Sequence, residues 1–110
     1  MHEESGLTEP EAPLPVPSPS TIFRPVAEGG VLFSTTTEIY FGVNTVGARI
    51  WGMLPPANMT VGELCAAMMS AFPEVSETRI RDDVRQFLEE LLTHGLVVTS
   101  PSNVARLPAV

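Results

Sequence analysis

Cys65, His94 and the adjacent carboxylate pairs Asp82-Asp83 and Glu89-Glu90 are the residues of this chain whose types could do chemistry. Cys65 shares the spacing of Val61, Leu64, Met68 and Phe72, the apolar stripe of a helix, where a cysteine is a small buried hydrophobe rather than a nucleophile. His94 falls in the last turn of a helix, where a cation complements the helix dipole. His2 stands far away in sequence, and one cysteine with two dispersed histidines makes no zinc set. Neighbouring helical positions diverge by about 100°, so each carboxylate pair splits between faces and reads as solvated surface. No glycine-rich phosphate loop is present. Of Met68-Met69, an adaptable surface in principle, at least Met68 reads as core filler. No catalytic residues, no cofactor and no metal site are expected, and the chain reads as a protein without enzymatic activity.

The elements that carry these residues belong to a chain of 110 residues, the size of one domain, 44% hydrophobic. Its net charge is -7, with six arginines and no lysine. That balance argues against nucleic acid and anionic membrane as partners, both of which need a positive field. A lone cysteine excludes an intramolecular disulfide framework and fits a reducing compartment. No apolar run approaches the roughly 18–20 residues of a membrane span, and Met1-His2-Glu3-Glu4 is unlike the basic start of a signal peptide. A cytoplasmic location is expected.

Prolines 10, 13, 15, 17 and 19 interleave with acidic residues in the first twenty positions. Proline removes backbone donors and fixes φ, so residues 1–20 are expected to form a solvated, disordered acidic tail, either a docking arm or a plain solubilising segment. Deleting residues 1–19 is then expected to leave folding unchanged. Residues 101–110 are expected to be a flexible C-terminus, which leaves residues 21–100 as the domain.

Within it, Ile22–Val26 reads as an edge strand because of Pro25. Gly29-Gly30 reads as a turn, Val31-Leu32-Phe33 as a second strand, and Ser34–Thr37 as a hairpin loop. Ile39-Tyr40-Phe41 reads as a third strand, rich in aromatic and β-branched residues. Three helices follow. Asn44 or Thr45 caps the first, whose stripe is Val46, Ile50, Trp51 and Leu54. Thr60 and Glu63 form a capping box that opens the second. Ser76 or Glu77 starts the third, with Ile80, Val84, Phe87, Leu88, Leu91 and Leu92 as its apolar face and Gly95 as its stop. Trp51 and Phe87 are expected to be buried rings.

The third strand, Glu38 to Gly42, has neither proline nor lysine to protect it. An unprotected outer strand is a template for strand addition by a peptide. It is equally open to cover by another part of this chain or to pairing in a dimer.

The run Phe41-Gly42-Val43-Asn44-Thr45-Val46-Gly47-Ala48-Arg49-Ile50-Trp51, the capped start Thr60-Val61-Gly62-Glu63-Leu64, the segment Ile80-Arg81-Asp82-Asp83-Val84-Arg85-Gln86-Phe87-Leu88-Glu89-Glu90-Leu91 and Gly95-Leu96-Val97 together resemble the PqqD family, also called RiPP recognition elements. The resemblance spans about residues 22–98. It implies an α+β fold, a three-stranded antiparallel sheet packed on a three-helix, winged-helix-like bundle. It implies that the chain binds the leader of a ribosomally made precursor peptide as a strand beside the third strand. The edge would be Glu38, Ile39, Tyr40, Phe41 and Gly42; Arg81, Val84, Arg85 and Leu88 would wall the cleft, the arginines suiting an acidic leader. Similarity to stand-alone lasso-peptide proteins implies a second partner, a leader peptidase of cysteine-protease type, and a monomer. The main rival is a winged-helix DNA-binding regulator. Its charges disfavour it, because Arg79, Arg81 and Arg85 on the third helix are outnumbered by Glu77, Asp82, Asp83, Glu89 and Glu90.

Overall fold

A computed structural model describes residues 9–99. The element order is β1 (Val16–Pro17), β2 (Thr21–Val26), β3 (Gly29–Ser34), β4 (Ile39–Asn44), α1 (Thr45–Gly52), α2 (Val61–Ala71), α3 (Glu77–Thr93) and β5 (Val97–Val98). Strands β2, β3 and β4 form an antiparallel sheet in sequence order, and β1 pairs with β5 in a separate two-stranded ribbon. The expected α+β class, with a three-stranded antiparallel sheet and three helices, is the observed one.

The β2–β3 turn falls two residues earlier than its glycines suggest, at Ala27-Glu28, because Val26 already pairs with Gly29. The glycines open β3 instead, for steric reasons. Gly29 has φ 145°, and a Cβ there would overlap the Val43 carbonyl; one on Gly30 would overlap the Phe23 ring. Residues 35–38 connect β3 to β4, with Glu38 in the left-handed region at φ 61°.

Strand β4 runs straight into α1. Asn44 is both its last residue and the helix cap, its Oδ1 accepting from the Gly47 N–H at 2.8 Å. The capping box of α2 is present: the Glu63 N–H donates to Thr60 Oγ1 at 3.2 Å, and the Met59 N–H donates to Glu63 Oε1 at 2.7 Å. Ser76 caps α3 by accepting from the Arg79 N–H. Gly95, at φ 71°, ends that helix in the left-handed conformation. Leu32 of the sheet, Ile50 of α1, Leu64, Cys65 and Met68 of α2, and Ile80, Val84, Leu88 and Leu91 of α3 make one continuous core. Trp51 and Phe87 are only half-buried at its margin, and Trp51 stacks on Phe23 at 6.4 Å between ring centroids.

The largest departure from the sequence reading concerns residues 9–20, which pack as a strap instead of trailing in solvent. Leu14 is 1% exposed and belongs to the core. The carbonyls of Pro10 and Ala12 accept the N–H groups of Gly62 and Val61 at 2.8 and 3.0 Å, two donors that the start of α2 leaves free. The Leu14 N–H donates to the Met59 carbonyl, and Ser18 N–H to that of Leu96. Proline lacks a donor but keeps its carbonyl, and the strap's bonds to α2 use carbonyls only. The expectations for residues 1–8 and 101–110 lie outside the described residues.

Candidate functional site

The outer edge of β4 pairs with no other strand among the described residues. Its side chains alternate as a strand requires. Phe41 and Val43 point inward and pack half-buried against the core, while Tyr40 stands on the outer sheet face. Tyr40 is 72% exposed and Ile39 52%, and Gly42 is exposed too. Tyr40 leans on its cross-strand neighbour Phe33, ring centroids 4.7 Å apart. The edge expected at Glu38, Ile39, Tyr40, Phe41 and Gly42 is therefore open, with Glu38 in the turn and the other four in β4.

The α3 side of the cleft is built from other residues than the sequence indicated. Val84 and Leu88 are 1% and 0% exposed and face the core. Arg81 donates to Glu77 of the same helix at 2.6 Å. Arg85 pairs with Glu89 at 3.3 Å. At ~100° per residue, Arg81 and Arg85 stand roughly 120° and 160° around the helix from Phe87. It is the Phe87 face that meets the edge: the ring of His94, two turns on, lies 5.0 Å from that of Phe41.

The residues brought together are Asp83, Phe87 and Glu90 from α3 and His94 just past its end, with Phe41 and Val43 from β4. Between α3 and the start of α1 is a cavity of about 260 Å³, floored by Val46, Gly47, Ile50 and Phe87 and rimmed by Asn44, Arg79, Asp83, Gln86 and Glu90. Gly47 makes room for the ring, since a Cβ there would come within 3.2 Å of Phe87 and of the Val43 side chain. Arg79 pairs with Asp83 across one helical turn at 3.3 Å. The spacing 83, 87, 90, 94 is a helical stripe that could have been read from the sequence. What conceals it is that Phe87 also fits the core stripe of the helix, while its charged members fit a solvent face.

The arrangement suits holding an extended peptide: free main-chain groups on one wall and an apolar, charged-rimmed hollow on the other. Among the described residues, no group of three or more His, Cys, Asp or Glu is placed to hold a metal ion. Burial pushes the Cys65 thiol up from its ordinary value, only partly offset by Arg81. Both burial and protonation disfavour reaction. In the folded protein Cys65 is expected to react with a maleimide at least tenfold more slowly than in denaturant; equal rates would place it at the surface. No helix among the described residues is long and apolar enough to cross a membrane.

Comparison with known proteins bears on this geometry. The family model described as coenzyme PQQ synthesis protein D (PqqD) matches residues 29–97. The solved structure "TbiB1 in Complex with the TbiA(beta) Leader Peptide" is similar with a TM-score of 0.67 at 27% identity, over 74% of this chain and 93% of that one. No curated protein sequence matches the chain significantly.

Proposed function

From a chain that belongs to the PqqD family, with an open strand edge beside a hollow, we propose a non-catalytic recognition element that binds the leader of a ribosomally made precursor peptide by strand addition to β4. The observation that carries this reading is the edge of β4, unpaired among the described residues and facing the Phe87 side of α3, on a fold similar to that of a protein solved with a leader peptide. Main-chain pairing supplies affinity with little dependence on side chains, and the hollow supplies selectivity. Likeness to TbiB1 supports a leader as partner.

The precursor is further proposed to be that of a lasso peptide. The protein would work in the cytoplasm as a monomer, its helices and sheet arranged in the winged-helix manner, presenting the bound leader to a peptidase of cysteine-protease type. Presentation acts by raising the local concentration of substrate at the enzyme. The DNA-binding alternative gains no support, since the three arginines of α3 are each engaged by a carboxylate of the same helix.

Backbone amide NMR with a synthetic leader tests the site. Shifts are expected to concentrate on residues 39–44 and on α3 around Phe87 and His94. If they gather on α2 and the strap and spare β4, strand addition at this edge is wrong. In the presence of its peptidase, the protein should accelerate leader removal; an unchanged rate would remove the presentation role.

A further inference from the structure

Four of the five arginines among the described residues are occupied away from the hollow's floor: Arg81 with Glu77, Arg85 with Glu89, Arg79 with Asp83 at the rim, and Arg49 over the Phe72 ring. The fifth, Arg24, stands on β2, at the far side of the sheet from β4. The Arg79–Asp83 pair leaves the rim one net charge, the carboxylate of Glu90, which is exposed and lies one helical turn beyond Phe87. His94, which with Asp83 and Glu90 is titratable on this stripe, places Nδ1 2.9 Å from the Glu90 carbonyl and its ring on Phe41. The whole chain carries -7, which adds a negative field over the site.

The arginines once expected to draw acidic leader residues are thus turned away from the edge, and the charge at the rim has the opposite sign. Resting on the leader-binding reading, we infer that this site selects leaders that carry a lysine or arginine two positions from a bulky apolar residue. The apolar side chain seats on Phe87 in the hollow, and the cation pairs with Glu90. The spacing follows from geometry. Phe87 and Glu90 are offset along α3 by ~4.5 Å. Same-face residues of an added strand are ~6.6 Å apart, and a long basic side chain covers the difference. Such a rim pair is partly solvated, so its contribution to affinity is about three- to fivefold, sensitive to salt.

The probe is a display library of random twelve-residue peptides, selected in parallel on the wild-type protein and on Glu90→Arg. Residue 90 is exposed, so the variant folds, which thermal unfolding verifies. Peptides selected on wild type are expected to be enriched in Lys or Arg two positions from an apolar residue. Those selected on Glu90→Arg should switch to Asp or Glu at that place, and a wild-type-selected peptide should bind the variant about tenfold more weakly, since attraction becomes repulsion. A role for Glu90 confined to stability would not reverse the preferred charge. Selected peptides are then mapped by amide NMR. If they bind at residues 39–44 but their charge is indifferent to residue 90, the inference is overturned and strand addition stands. If no peptide is enriched, or those enriched spare residues 39–44, the leader site itself is misplaced and the inference falls with it.

Discussion

Leu14→Ala is expected to destabilise the protein by about 2–5 kcal/mol, a shift of roughly 10–30 °C in the unfolding midpoint for a domain of this size. Leu14 is 1% exposed and fills a place in the core beside α2 and β5. Truncating it leaves a cavity that a strap pinned on both sides cannot close by sliding. Pinning comes from the bonds of Pro10, Ala12 and Leu14 to residues 59–62 and of Ser18 to Leu96. Removing residues 1–18 altogether should cost at least as much. It strips the core of Leu14, takes β1 from β5, and leaves the N–H groups of Val61 and Gly62 without their acceptors. Pro13→Ala is the control, because Pro13 is exposed. Thermal unfolding reads all three. A Leu14→Ala protein that melts within about 2 °C of wild type would mean that residues 9–20 are no part of the folded unit. The strap lies before residues 29–97, the stretch that matches the family model.

The second large effect separates two neighbours on α3. Leu88→Ala should destabilise by about 2–5 kcal/mol because the side chain is 0% exposed. Whatever remains folded should bind leader with nearly unchanged affinity. Phe87→Ala should behave the other way. Its ring is half-buried and forms the floor of the hollow. Aromatic anchors in such places are worth about 2 kcal/mol or more of binding, some thirtyfold in affinity, while the stability loss stays smaller than for Leu88. Calorimetric titration with a synthetic leader, beside thermal unfolding, gives both readouts. If Leu88→Ala weakens binding and Phe87→Ala does not, α3 presents a different face to the peptide than the one proposed.

Sequence periodicity and cap chemistry determined the elements of this protein. Both act within a few residues: the Thr60–Glu63 box, the Gly95 stop and the alternation through Ile39–Phe41 are local, so three strands and three helices were legible in order. The glycines at 29 and 30 were legible as special but not as strand residues, because what demands them is the approach of Val43 and Phe23 from elsewhere in the sheet. The open edge of β4 was half-legible. Its lack of proline and lysine is a sequence fact, but that no strand among the described residues pairs with it belongs to the assembled fold.

The tertiary structure alone decided two things. One is the strap: a leucine flanked by prolines has no periodicity to announce burial, and the acceptors it offers find donors some fifty residues away, at Val61 and Gly62. The other is which face of α3 looks at the edge. A helix 17 residues long offers several overlapping stripes, and period alone cannot say which neighbour each one meets. Packing Val84 and Leu88 into the core rotates Arg81 and Arg85 away and brings Phe87, Glu90 and His94 to β4, because a helix is rigid about its axis and burying one stripe sets the direction of all the others.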